Sequence, residues 1–298
     1  MPASAAATTR PEYDSPSALA RLLDAEGLAM SKRLGQNFLV NRGIREKILG
    51  AVGREAGDRV WEIGPGIGSM TSMLLDAGLE VAAFEIDHGF ARLLNRVFGE
   101  EERFRLVEGD FLDTWPGELE TRGPPDIVIG NLPYNAAAAM VASLLEGGVG
   151  RRLVFTVQRE VAQRMAAKPG GKDYSSFTVL CASSSSVRIL FDIGGGSFWP
   201  APRVTSSVVA MEPLRSPLAS DDRKGFSRFV RQSFSSRRKT LRNNLKAAGW
   251  TERIVDGALD ALGIDRAVRA EALAPDVLAA LYSHACAAGP RAPTIEPL

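Results

Sequence analysis

The stretch "WEIGPGIGSM", residues 61–70, decides how the chain is read. Its apolar start continues the run "DRVWEIG" (58–64), which has the composition of a buried strand. Glycines at 64, 66 and 68 then interrupt it, and "SMTSMLLDAG" (69–78) has helical spacing. A strand that ends in a glycine-rich turn and opens a helix brings bare backbone close to a ligand. Position 69 is serine, so the third glycine of G-x-G-x-x-G is missing, and the turn suits a ligand without a pyrophosphate.

Outward from this turn, strand-like and helix-like runs alternate. "EVAAFEID" (80–87), "FRLVEGD" (104–110), "DIVIGNL" (126–132) and "RLVFTVQ" (152–158) read as further strands. Helical patterns fall at 89–98 and 136–145. "SVRILFDI" (186–193) and "RVTSSVVAMEP" (203–213) complete seven strands and have no helix between them, which predicts an antiparallel edge. The predicted class is α/β, a Rossmann-like sheet over 31–216. After 216 the runs 223–234, 237–249 and 251–263 have helical spacing, with Gly249 and Gly263 where helices would stop, predicting a small all-helical domain over 217–286. Residues 1–30 are taken as an N-terminal extension, with "MPASAAATTRPEYDSP" as a disordered tail, and 287–298 as a second tail.

Composition excludes several classes. No apolar run approaches the ~20 residues of a membrane helix, and the amino terminus has no apolar core of a secretory signal. The only cysteines, Cys181 and Cys286, and the only histidines, His88 and His284, lie in unrelated contexts. This argues for a reducing cytoplasm and against a disulfide framework or a zinc site, so no metal is expected. The net charge of +1 conceals nine Lys/Arg and no Asp/Glu from 223 to 246, leaving −8 for the remainder. A second basic stretch spans 31–47, with five cations and one anion. Two basic zones on a near-neutral chain point to a localised polyanion site, against the alternative of a solvated helix face.

Polar groups at the carboxyl ends of successive strands converge on one crevice in such sheets. Glu85 stands there 21 positions after Gly64, where a carboxylate can accept both hydroxyls of a ribose. Asp110 could accept from an adenine amine, although either acid could instead cap the next helix. An adenosine held without phosphate contacts suggests S-adenosylmethionine; NAD is the alternative at the level of motif. The fourth strand ends in "GNLPYN" (130–135). The Asn131 side-chain oxygen and the Leu132 carbonyl can accept from an exocyclic amine, Pro133 fixes the chain direction, and Tyr134 offers a stacking face.

"LGQNFLVN" (34–41), "EIGPGIGSMT" (62–71), "EGDFLD" (108–113), "GNLPYN", "VQREVAQRM" (157–165), "FWPAPRVTSSVV" (198–209), "RRKTLRNNL" (237–245) and "RAEALA" (269–274) occur in that order. Together they resemble the KsgA-type ribosomal RNA adenine dimethyltransferases, over about 34 to 273. The resemblance implies a class I S-adenosylmethionine-dependent sheet, S-adenosylhomocysteine as product, and dimethylation of the N6 amines of two adjacent adenines near the 3′ end of 16S rRNA, linked to small-subunit maturation. The expected partner is small-subunit rRNA within an assembling 30S subunit, and a monomer is expected. The resemblance makes Asn37 and Leu39 cofactor contacts, supports Gly64, Gly66, Glu85, Asp110 and Asn131 in that site, and adds Phe198 as a base-packing residue. Arg237, Arg238, Lys239, Arg242 and Lys246 become RNA contacts on a basic helical segment. The chain departs from the family pattern at the four alanines 136–139, at "YSSF" (174–177) and at "RVTS" (203–206). Rival readings are an erythromycin-resistance type enzyme on large-subunit rRNA, a DNA adenine methyltransferase, an assembly factor with vestigial methylation, and a nicotinamide oxidoreductase.

Overall fold

The computed structural model describes residues 10–31, 35–214 and 222–288. The chain forms two compact units. The first takes Met1–Val141, Val149–Ala162 and Arg188–Glu212; the second takes Ala142–Gly148, Gln163–Val187 and Pro213–Leu298.

In chain order the elements are α1 (Pro16–Ala25), β1 (Phe38–Leu39), α2 (Arg42–Ala51), β2 (Arg59–Ile63), α3 (Ser69–Asp76), β3 (Glu80–Glu85), α4 (His88–Phe98), β4 (Phe104–Glu108) and α5 (Phe111–Arg122). There follow β5 (Ile127–Asn131), α6 (Ala137–Gly147), β6 (Arg152–Gln158), α7 (Arg159–Met165), α8 (Ser176–Ser184), β7 (Ser185–Ile193), β8 (Phe198–Trp199) and β9 (Ser206–Pro213). Helices α9 (Arg223–Ser233), α10 (Leu241–Ala247), α11 (Glu252–Ala261) and α12 (Pro275–Ala287) end the series.

All seven expected strands enter one sheet, in the order β4-β3-β2-β5-β6-β9-β7. From β4 to β6 the pairs are parallel, β9 runs antiparallel to β6, and the last two runs, β9 and β7, stand side by side at the edge. The central strands β2, β5 and β6 are buried on both faces, so their sequences read as continuous apolar runs rather than alternations. Edge strand β4 lacks that burial and carries Arg105 and Glu108 outward. The glycine turn takes positive φ at Gly64, Gly66 and Gly68. A Cβ on Gly68 would stand 2.5 Å from the Phe98 ring, so α3 starts against α4 only because that residue is glycine.

Two features lie outside the expected plan. Strands β1 and β8 form a second, two-stranded sheet that pairs Phe38 with Trp199 and Leu39 with Phe198. The amino-terminal segment is not a disordered tail from Arg10 onward. Arg10 binds Ser72 Oγ at 3.0 Å and Asp76 at 2.5 Å, Asp14 pairs with the buried Arg45, and Ser15 caps α1, which buries Leu19 and Leu23. Burying two leucines contributes on the order of 3–5 kcal/mol toward holding the helix in place. Residues 1–9 and the expected tail from 289 lie outside the described residues, as do 32–34 of the second basic stretch.

The helical unit begins earlier than the expected boundary at 217. Tyr174, Val179 and Leu180 bury themselves in one core with Phe229, Leu245, Val255, Leu278 and Tyr282, so the region around α8 belongs with the carboxyl-terminal helices. Gly249 (φ +91°) and Gly263 (φ +63°) end α10 and α11 as their positions predict. The expected helix over 237–249 is shorter. Thr240 accepts from the Asn243 N–H and caps the helix, so α10 starts at Leu241 and residues 237–239 form the turn before it.

Candidate active site

A cleft opens at the carboxyl ends of β2, β3 and β5. Asn37, Leu39, Gly64, Gly66, Glu85, Asn131 and Pro133 all line it, so the structure gathers seven of the expected site residues from four segments. Glu85 ends β3 and is 4% exposed. Its Oε2 accepts the Gly66 N–H at 3.0 Å and its Oε1 accepts the Asp87 N–H at 2.9 Å. Burial raises its pKa to about 7, against the lowering effect of those two backbone donors. Each oxygen has a second lone pair, and the carboxylate also holds the glycine turn in place.

The two acids that could equally have capped helices resolve differently. Asp87, not Glu85, caps α4, accepting from Gly89 N and Phe90 N. Asp110 does cap α5, through the Leu112 N–H at 2.9 Å, and does not line the cleft. A short carboxylate one residue before a helix meets free N–H donors first.

At the Asn-Leu-Pro-Tyr corner, Asn131 Nδ2 donates to the Asn37 carbonyl at 2.9 Å. This fixes which way the amide faces: Oδ1 takes no hydrogen bond from any described residue. The Leu132 N–H donates to the Thr156 carbonyl at 3.0 Å, while its side chain is buried. The Pro133 carbonyl accepts from Ala136 N and Ala137 N, which turns the chain directly into α6. Tyr134 does not line the cleft; its hydroxyl pairs with Ser206 Oγ at 2.9 Å. Phe198 is not at the cleft either. It is 4% exposed in a core cluster with Leu39 and Ile48, because its β8 position faces Leu39 across the small sheet. Its contribution is to back the wall that Leu39 forms.

Glu62, Ile86, Gln36 and Thr156 are among the lining residues that carried no role in the sequence reading. Glu62, buried in β2, accepts from Thr71 Oγ1 at 2.6 Å, and burial raises its pKa to about 7. An acid inside the apolar run "VWEI" was the available signal. Ile86 lines the mouth and is 44% exposed, an apolar side chain with one face free to cover a flat ring. Gln36 ties Ser31 N to Asp87, and Thr156 stands opposite Asn131 in the sheet register.

The residues present fit S-adenosylmethionine. The turn holds Gly66 at φ +57°, where a Cβ would come within 2.8 Å of the Phe38 ring. The buried Glu85 carboxylate suits a ribose diol, and the acidic pair Glu62 and Glu85 suits a cationic ligand.

The expected RNA contacts sit in the helical unit and divide into two groups. Arg242 is bound to Asp256 at 2.6 Å and to Glu252, and Lys246 to Glu252 at 2.8 Å. Asp256 and Glu252 are held below the usual carboxylate range by these cations. Arg237 donates to the carbonyls of Lys172 and Tyr174 at 3.0 and 2.7 Å. Arg238 and Lys239 are exposed and have no partner among the described residues. Acids from α11 therefore neutralise Arg242 and Lys246, and leave Arg238 and Lys239 untouched.

The ribosomal RNA adenine dimethylase family model matches residues 27–284. The chain belongs to this family. A "Ribosomal RNA small subunit methyltransferase A" of Treponema denticola is 42% identical over 271 residues, covering 89% of this chain and 92% of that one. The protein of the same name from Magnetococcus marinus is 40% identical over 260 residues, covering 85% and 90%. Among solved structures, a dimethyladenosine transferase from Plasmodium falciparum has a TM-score of 0.68 at 23% identity, covering 81% of this chain and 94% of that one. The 23S rRNA methyltransferase ErmE has a TM-score of 0.61 at 23% identity, covering 84% and 100%. These two establish the shared Rossmann-like methyltransferase fold. As an rRNA adenine dimethylase, the chain is a methyltransferase that uses S-adenosylmethionine. Among the described residues no helix is long and apolar enough to cross a membrane.

Proposed function

We propose that this dimethylase transfers methyl groups to the N6 amines of two adjacent adenines near the 3′ end of 16S rRNA, acting as a monomer in the cytoplasm on an assembling 30S subunit. The orientation of the Asn131 amide carries the reading at the level of chemistry. The relatives named for the small subunit, near 40% identity, favour 16S over large-subunit rRNA.

S-adenosylmethionine supplies an electrophilic methyl on sulfur and leaves as the neutral thioether S-adenosylhomocysteine. Glu85 holds the ribose, Gly64 and Gly66 let the backbone approach, and Asn37, Leu39 and Ile86 close the walls. The adenine amine is a poor nucleophile because its lone pair is delocalised into the ring. In the first transfer Asn131 Oδ1 and the Leu132 carbonyl accept its two hydrogens and favour a tetrahedral nitrogen, which releases one proton to solvent once it carries the methyl. Asn131 Nδ2 cannot take the acceptor's place, because the Asn37 carbonyl holds it. Catalysis then comes mainly from positioning and preorganised acceptors. Tyr134 supplies the stacking face. Arg238 and Lys239 supply unpaired charge for RNA phosphates from the helical unit.

Primer extension on rRNA from a strain lacking the protein tests the proposal. Loss of the dimethyladenine stops in 16S rRNA, restored by the wild-type chain and not by Asn131→Ala, is the expected result. Intact stops in the deletion strain would overturn it. Assaying free rRNA beside undermethylated 30S particles decides whether the assembled subunit is required.

A further inference from the structure

Ser206 opens β9, opposite Gln158 at the end of β6, and it is 0% exposed. A buried hydroxyl without a partner costs roughly 1–3 kcal/mol, so the partner it has is informative. That partner is the phenol of Tyr134, 2.9 Å away and 72 residues distant in sequence. The neighbouring side chains are committed elsewhere. Ser207 Oγ donates to Asp192 at 2.6 Å, and Asp192 in turn faces Arg159 at 3.6 Å.

Tyr134 follows Pro133, which lines the cleft, and stands three residues after Asn131. The corner is held at three points: the Asn131 amide on the Asn37 carbonyl, the Leu132 N–H on the Thr156 carbonyl, and the Tyr134 phenol on Ser206. A tyrosine ring turns about two side-chain bonds. With its hydroxyl tied at the far end, it cannot swing about the Cα–Cβ bond without breaking that tie, whereas turning about Cβ–Cγ leaves the oxygen in place. The tie comes from the last residue of "RVTS" (203–206), a segment with no residue among those that line the cofactor cleft.

We infer that Ser206 is a positioning residue for methyl transfer: its hydroxyl holds the Tyr134 ring in place beside the cleft, so the ring's location is set before the base arrives. The gain is preorganisation, since the swing of the ring about Cα–Cβ is already lost before RNA binds. The inference rests on the proposed function. Ser206→Ala replaces a buried hydroxyl by a similar shape, so the fold is retained.

The test is a cycle of Ser206→Ala, Tyr134→Phe and the double variant, with three readouts. Single-turnover methylation of undermethylated small subunits should fall about 10-fold in each single variant and no further in the double, because one bond is lost in every case. S-adenosylhomocysteine affinity should stay within about 2-fold of wild type, which separates positioning from damage to the cleft. The ring signal of Tyr134, one of only four tyrosines and assigned by its loss in Tyr134→Phe, should shift and sharpen in Ser206→Ala when tyrosine is isotopically labelled. An unchanged ring signal, a Ser206→Ala rate within 2-fold of wild type, or single effects that multiply in the double would each overturn the inference. A wild-type chain inactive on small subunits would instead sink the proposed function, and the ring signal distinguishes the two failures.

Discussion

The side-chain amide of Asn131 donates to the backbone carbonyl of Asn37 at 2.9 Å, joining residues 94 positions apart. The bond links the end of β5 to the loop before β1, two of the segments that line the cleft. It also assigns the two atoms of the amide, leaving oxygen as the free acceptor.

Asn131→Ala should lower methyl transfer by about 10²–10³-fold, the scale expected for one preorganised polar group at a reacting centre. Cofactor affinity should change far less. Asn131→Asp keeps an oxygen for the amine but loses the donation to Asn37 and sets two acceptors against each other. Its activity should be as low as that of Ala; wild-type activity in Asp would show that the amide orientation is irrelevant.

Glu85 gives cofactor binding a pH dependence. Its pKa is raised to about 7, so it gains a proton as pH falls through 7 and one ribose acceptor becomes a donor. S-adenosylhomocysteine affinity, measured by calorimetry between pH 6 and 8, should weaken toward the acid side. In Glu85→Gln it should be weaker throughout, with most of the slope removed.

Glu62 should limit stability at high pH. Its folded pKa of about 7 lies above the ordinary carboxylate value, so the folded state binds more protons than the unfolded one between about 4.5 and 7. Its contribution is therefore fully present below about 4.5 and is lost as pH rises through 7. Glu62→Gln keeps an acceptor for Thr71 and removes the titration. At pH 8 it should be more stable than wild type, by on the order of 1–3 kcal/mol, with the gain shrinking toward pH 4.5. Denaturant midpoints at several pH values would check the sign.

The basic run should behave as two groups. Arg238→Ala with Lys239→Ala should weaken RNA binding and reduce its log-log salt slope by about 1–2, while sparing the cofactor. Arg242→Ala strands Asp256 and Glu252 without their cation, so it should lower the thermal midpoint while leaving the salt slope close to wild type. Filter binding across a salt series, beside thermal melts, separates these outcomes.

Reading by pattern succeeded where burial leaves a period or a run. Strands β2, β5 and β6 are apolar on both faces, and Glu85 and Asn131 stand at strand ends where the chain must meet the crevice. It was less informative where a role depends on a distant partner. Two residues are too few to show a period, so β1 and β8 left no trace, and with them the burial of Phe198. Counting charge along 223–246 could not see that α11 returns with Glu252 and Asp256. Near the amino terminus, Leu19 and Leu23 form one apolar pair, too short a signal to set against the polar residues around it. Asp110 was ambiguous from the outset, and the α5 backbone decided its geometry.

The chain passes between its two compact units five times. A fragment beginning at 217 would lack Tyr174, Val179 and Leu180, and it would expose the apolar surface those residues cover. The helical unit is therefore not a detachable tail. Exchanging it between relatives requires moving three separate stretches at once, two of them threaded between strands of the sheet. Recombination at a single point cannot do that.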